Sequence, residues 1–281
     1  MKLFPIETGN FKLDGGAMFG VVPKVMWSKV YPADDKNLCN WSMRCLLIVD
    51  GDRKILIDNG IGEKQDEKWL RHYHLNGEAT LESSLAASGY KPEDITDMIL
   101  THMHFDHCGG SVKWNTDRTG FELTFPNATY WTSRQQFDWA TQPNRREQAS
   151  FLKENILPIE ESGQLKLIES EGEHLPNIEF KLFEGHTGGL VIPHIRYNGK
   201  TVVFMADLMP STAHIPMPWI MAYDTRPLKT LKDRKRFYSE ALKGDYVLFF
   251  EHDLYHEAGT VHDTEKGVRI KETGKLSDFI S

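Results

Sequence analysis

Thr101-His102-Met103-His104-Phe105-Asp106-His107-Cys108-Gly109-Gly110 is the stretch that decides how this chain is read. Three imidazoles and a carboxylate fall within six residues. Side chains on an extended segment alternate, so His102 and His104 point the same way. A turn beyond them would bring Asp106 and His107 back towards a nearby point. Neutral imidazole and carboxylate are ligands that suit zinc, and also iron, manganese or cobalt. The glycine pair lets backbone pass close to a crowded centre. Cys108, wedged between His107 and the glycines, is read as a packing residue rather than a ligand.

Working outward, Ile95–Thr101 reads as a buried strand that delivers the cluster. Upstream, Cys45–Val49 and Lys54–Asp58 flank Asp50-Gly51-Asp52-Arg53 and predict a hairpin. Thr80–Ser88 predicts a short helix stopped by Gly89. Downstream, Ala128–Thr132 predicts a strand, and Ser133 with Gln136 opens a helix. Asn144 with Glu147 predicts a second helix running towards Asn155. The later half repeats the style, with strands at Leu165–Ile168, Ile178–Phe183, Leu190–Tyr197 and Val202–Ala206. The last two are joined by Asn198-Gly199. Thr230–Lys243 reads as an amphipathic helix and Asp245–Phe250 as a buried strand. Strand-rich halves that each carry helices predict packed sheets with helices outside. No Pro/Gly/Ser-rich linker divides the chain, so residues 1–281 are read as a single domain.

Four ligands cannot complete two metal sites, so the rest must come from elsewhere. Three later positions sit at predicted strand ends: His186 in Glu184-Gly185-His186-Thr187-Gly188-Gly189, Asp207 after Val202–Ala206, and His252 after Asp245–Phe250. Side chains gathered from different strand ends are what a rigid sheet scaffold allows.

With these residues in place, the chain resembles the metallo-β-lactamase superfamily. The H-x-H-x-D-H motif matches His102, His104, Asp106 and His107; the Gly-His-Thr motif matches His186; a strand-end Asp matches Asp207 and a last His matches His252. The resemblance covers roughly positions 45 to 255. It implies an α+β fold, the four-layer αββα sandwich, with a site for two Zn2+ in a cleft, Mn, Fe or Co being alternatives. It implies that His102, His104 and His186 hold the first metal, that Asp106, His107 and His252 hold the second, and that Asp207 bridges. Asp58 matches the family's acidic residue beneath the metal loop and is expected to support ligands rather than bind. The implied reaction is attack by a metal-bridging hydroxide on an ester or lactone carbonyl, with Asp106 orienting the nucleophile and passing a proton to the departing alkoxide.

Within the family, His104 in place of Glu argues against the oxygen-reducing di-iron branch. Asp207 argues against the true β-lactamases. The 29 residues after His252 leave no second substrate lobe of the kind found in the glutathione-thioester hydrolases. What remains resembles the branch of acyl-homoserine lactonases and methyl-parathion-type hydrolases. Asp14–Trp27, part of an N-terminal segment spanning residues 1–40, is expected to arch over the cleft. Ser211–Asp224 is the second Met/Trp/Pro-rich stretch able to wrap an acyl chain. Lactonases of this branch carry a Tyr three residues past the bridging Asp, where this chain has Pro210. Tyr223 or His214 is the expected replacement. A lactonase acting on N-acyl homoserine lactones is the leading expectation. A phosphotriesterase or other ester hydrolase, and a non-catalytic metal-binding module, are the alternatives.

Composition agrees with a small-molecule enzyme. The chain holds 33 Lys+Arg against 40 Asp+Glu, a net charge of −7, which offers no general attraction to nucleic acid or an anionic membrane. The basic run Lys229–Arg236 lies on an amphipathic helix and reads as a solvated face. A small neutral substrate with an apolar chain is therefore expected, with no nucleic-acid or membrane partner, and the apolar N-terminal segment suggests a homodimer. Three cysteines read as reduced thiols. Met1–Glu7 has no apolar export core, which points to the cytoplasm, although a trimmed exported form would read the same. Of 12 histidines, five fall in the ligand pattern. His72, His74, His174, His194, His256 and His262 are read as background.

Overall fold

A computed structural model describes residues 1–280. The chain folds as two compact units, each made of two segments. The first comprises Met1–Asn10 and Met43–Ser170, the second Phe11–Ser42 and Glu171–Ser281.

The first unit is built on a six-stranded sheet in the order Lys2–Asp14, Leu38–Asp50, Arg53–Ile57, Asp97–Ile99, Thr129–Ser133, Leu165–Ile168. The expected hairpin is present, with Leu46 opposite Ile57 and Asp50 opposite Arg53. The next three pairings are parallel, and parallel pairs need crossovers. Leu81–Ala87 and Arg134–Thr141 supply helices for them. Thr80 caps the first in a capping box with Ser83, and Gly89 follows at φ +85. Ser133 caps the second by accepting from Gln136 N–H at 2.9 Å. Ile6, Cys45, Leu47, Leu85, Met98, Leu100, Tyr130 and Phe137 share one buried core.

The expected helix from Asn144 towards Asn155 is corrected. Asn144 Oδ1 instead turns the chain by accepting from Arg146 and Glu147 N–H. A single 3-10 turn follows at Gln148–Ser150, and the helix proper runs over Lys153–Glu161. Asx turns compete with helix propagation, and here the turn wins.

The second unit carries a seven-stranded sheet in the order Arg269–Gly274, Ala258–His262, Val247–Phe249, Lys200–Phe204, Leu190–Tyr197, Ile178–Phe183, Gly172–Leu175. Only the Lys200–Phe204/Val247–Phe249 pair is parallel. Pro227–Gly244 is the crossover helix of that pair. Asn198 (φ +48) and Gly199 (φ +78) make the tight turn read from sequence. The N-terminal stretch forms two short helices, Gly15–Phe19 and Lys24–Trp27. Phe19 and Trp27 are buried in this unit, stacked at 5.0 Å between ring centroids.

Candidate metal centre

In the first unit, the strand Asp97–Ile99 ends just before the histidine loop, and Phe105–Cys108 closes the loop with one helical turn. A second loop is laid along it. Asn59 N–H donates to the His107 carbonyl at 2.9 Å, Gly110 N–H donates to the Gly60 carbonyl at 3.0 Å, and the Lys64 ammonium donates to the Gly109 carbonyl. The glycine pair is explained by this contact: a Cβ on Gly109 would lie 2.2 Å from the Ile61 carbonyl oxygen. The close approach seen at these glycines is loop against loop.

The imidazoles are oriented by partners behind them. Asp58 is fully buried and accepts from Thr101 N–H (2.8 Å), from the Thr101 hydroxyl (2.6 Å) and from His107 Nδ1 (3.1 Å). The Thr101 oxygen in turn accepts from His102 Nδ1 at 3.0 Å. These bonds fix both tautomers and assign Nε2 as the metal-facing atom of His102 and His107. His104 is turned the other way: its Nε2 donates to Glu147 Oε1 at 2.9 Å, which assigns Nδ1. Glu147 is held by Trp139 Nε1 and Asn144 Nδ2. The His102 and His104 rings lie 4.5 Å apart, the His102 and His107 rings 3.9 Å. Asp106 Oδ2 is 3.7 Å from His107 Nε2. Asp58 takes a left-handed φ of +55, a strained conformation held by these bonds.

In the second unit, His186, Asp207 and His252 meet at one carboxylate. Asp207 Oδ2 is 3.0 Å from His186 Nε2, and Oδ1 is 3.3 Å from His252 Nε2. Two donors on one tetrahedral metal with bonds of about 2.0–2.1 Å stand roughly 3.3 Å apart. Each Asp207 oxygen therefore already keeps the spacing that a shared cation requires. His186 Nδ1 donates to Asp224 Oδ1 at 3.0 Å, and His252 Nδ1 donates to the Ser42 carbonyl at 2.8 Å. Burial alone would lower the His186 pKa, but the Asp207 and Asp224 carboxylates raise it to about 10. The local field thus calls for positive charge. Ala206, at φ +38, kinks the chain just before Asp207. Gly185 is required because a Cβ there would lie 2.3 Å from Thr230 N.

The expected ligands are thereby gathered within each unit: His102, His104, Asp106 and His107 in the first, His186, Asp207 and His252 in the second. The catalytic reading of His214 is corrected. It is fully buried, its Nε2 donates to the Met18 carbonyl at 2.9 Å, and its Nδ1 accepts from the Ser211 hydroxyl at 2.7 Å. Its ring stacks on Phe19 at 4.8 Å, and burial pushes its pKa down to about 3. Both nitrogens are spent on holding loops together. Tyr223, by contrast, is 41% exposed. Pro210 also has a backbone role, its carbonyl accepting from His252 N–H at 3.1 Å.

Sequence reasoning missed Glu147 and Asp224, the carboxylates behind His104 and His186. It also missed Trp69 and Tyr73, whose rings lie 5.1 and 4.6 Å from that of Phe105, inside the H-x-H-x-D-H stretch. Burial, reinforced by the Asp106 charge, raises the Tyr73 pKa to about 12, so its hydroxyl remains a donor. None of these residues sits at a fixed spacing from the motif, so no local signal exposed them.

A family model described as the Metallo-beta-lactamase superfamily matches residues 44–252. The chain belongs to the metallo-β-lactamase superfamily. An N-acyl homoserine lactonase of Bacillus cereus is 27% identical over 236 residues, 79% of this chain and 86% of that protein. Another from a Bacillus sp is 25% identical over 271 residues, covering 92% and 95%. Among solved structures, a probable metal-dependent hydrolase from Staphylococcus aureus is similar at a TM-score of 0.88 and 32% identity, covering 97% of this chain and 96% of that one. AidC, a dizinc quorum-quenching lactonase in complex with a product, shares the fold at a TM-score of 0.78 and 22% identity, with 95% and 92% covered.

The expected metallo-β-lactamase fold, mixed α+β with several sheets, is the fold found. As a metallo-β-lactamase relative the protein is a metal-dependent hydrolase, and it carries His/Asp clusters suited to a dinuclear metal site. Among the described residues no helix is long and apolar enough to cross a membrane.

Proposed function

We propose that the protein is a dinuclear metallohydrolase that opens lactone rings, N-acyl homoserine lactones foremost. His102, His104 and His186 hold one cation, Asp106, His107 and His252 hold the other, and Asp207 is shared. Zinc is the proposed metal. The observation that carries the reading is Asp207, which has a histidine Nε2 at each of its two oxygens, at 3.0 and 3.3 Å. The substrate class is supported by relatives named N-acyl homoserine lactonase that extend over most of the chain.

When bound, the cations supply Lewis acidity to the scissile carbonyl and bring the pKa of water towards neutrality. Asp106 orients the attacking water and carries a proton to the alkoxide released as the ring C–O bond breaks. A phenol assists the carbonyl oxygen where Pro210 offers none. Tyr223 is one candidate, being exposed; Tyr73 is favoured, because it packs on Phe105 and senses the Asp106 charge. The substrate is small and neutral with an apolar chain. Nucleic acid and membrane are not partners, and the N-terminal segment serves a homodimer.

Ring opening of N-hexanoyl homoserine lactone, followed by chromatography beside paraoxon and a β-lactam, tests the assignment. Preferential loss of the lactone is expected. Turnover of paraoxon alone would transfer the same residues to phosphotriester hydrolysis and refute the lactone reading.

A further inference from the structure

A cavity of about 400 Å³ lies within the first unit, lined by none of the candidate metal ligands, and its lining includes Lys64, Gln65, Trp114, Arg118, Phe121 and Glu154. Lys64 is only 6% exposed. Its ammonium donates to the Gly109 carbonyl and, among the described residues, reaches no carboxylate at ion-pair distance. Burial pushes its pKa down to about 8, with the Glu154 carboxylate acting against that fall. Beside it, Gln65 Nε2 is buried with no acceptor among the described residues. A buried ammonium and a buried amide N–H with too few acceptors are costly unless an anion completes them.

The acidic residues of the lining are not equivalent. Asp66 Oδ1 is committed to Trp69 N–H at 2.8 Å, and Glu67 pairs with Arg71 at 2.9 Å. Glu154 is half-buried and makes no ion pair among the described residues. The Trp114 and Phe121 rings adjoin at a tilt of 39°, 4.5 Å between centroids, and line the cavity with aromatic surface, with the Arg118 guanidinium 5.8 Å from the Trp114 ring centre. A cation and a carboxylate that line one cavity without pairing are complementary to a molecule bearing both charges. The aromatic surface is complementary to a ring.

We propose that this cavity binds a free aromatic α-amino acid as its zwitterion. The carboxylate is received by Lys64 and Gln65, the ammonium by Glu154, and the ring by Trp114 and Phe121. The site is independent of the lactonase reading, since neither its residues nor its ligand enter that reaction.

Calorimetric titration of the metal-loaded protein with L-phenylalanine, phenylacetate and phenethylamine tests the proposal. L-Phenylalanine is expected to bind at least tenfold more tightly than either single-charge analogue. Lys64→Met should weaken L-phenylalanine tenfold or more and leave phenethylamine unchanged. Glu154→Gln should weaken L-phenylalanine and leave phenylacetate unchanged. Because Lys64 also holds the metal loop, Glu154→Gln is the decisive variant if Lys64→Met does not fold. Binding that neither variant weakens would mark chelation at the metal ligands and overturn the proposal. So would no binding of L-phenylalanine, or binding no tighter than that of phenylacetate.

Discussion

Asp58 Oδ2 stands 3.1 Å from His107 Nδ1, and both side chains are fully buried. The same carboxylate holds Thr101, and through it His102, so one residue sets the tautomer of two candidate ligands. Asp58→Asn keeps the shape but loses the charge, and its amide cannot accept on both sides. Metal affinity is expected to fall about 10–100-fold. Competition with a chelator of known affinity measures this, and unchanged affinity would remove Asp58 from the account.

His214 is expected to matter for stability rather than for chemistry. His214→Phe preserves ring packing on Phe19 but strands the Met18 carbonyl and the Ser211 hydroxyl. Losing two buried hydrogen bonds should cost about 2–3 kcal/mol. Denaturant unfolding should show that loss, while kcat/KM of the folded fraction stays within about threefold of the parent. A loss of kcat without loss of stability would restore a catalytic role.

The phenol question separates cleanly. Tyr73→Phe retains the ring contact with Phe105 at 4.6 Å and deletes only the hydroxyl. If that hydroxyl assists the carbonyl oxygen, kcat should fall about 10–100-fold with little change in KM. Tyr223→Phe should change kcat less than about threefold. The reverse pattern would assign the role to Tyr223.

Acid sensitivity has a defined source in the second unit. His194 is buried among Phe237 and Tyr246, its Nδ1 donates to the Ile192 carbonyl at 3.0 Å, and burial pushes its pKa down to about 4. The unfolded chain takes up this proton near the ordinary pH of about 6.5, the folded chain only near 4. The unfolded state therefore binds more protons in that window, and stability falls as pH drops from about 6.5 to 4. The full effect is of order 3 kcal/mol. His194→Asn should flatten that slope in urea titrations at several pH values, and an unchanged slope would contradict the assignment.

Much of this was legible in the sequence because the ligands sit at fixed offsets around a strand end. The spacing of His102, His104, Asp106 and His107 is local chemistry, and the strands that deliver His186, Asp207 and His252 are short apolar runs with clear stops. The hairpin at Asp50-Gly51-Asp52-Arg53 was equally local. The Asn144–Asn155 segment was misread because Asn144 signals a cap and an Asx turn alike, and only the tertiary demand on Glu147 by His104 separates them. His214 was misread for a related reason. Sequence places a histidine in a Met- and Trp-rich loop, but whether its nitrogens face a substrate or a Met18 carbonyl depends on a partner 196 residues away.

The central claim is that seven His and Asp side chains act on a lactone through two cations. The most direct measurement is metal content by mass spectrometry alongside turnover of N-hexanoyl homoserine lactone, before chelation, after chelation and after zinc reloading. Two metals per chain, loss of turnover on chelation and its recovery on reloading are expected, with Asp207→Asn retaining at most one metal and losing turnover at least 100-fold. Full turnover by metal-free protein, or by Asp207→Asn, would contradict the account.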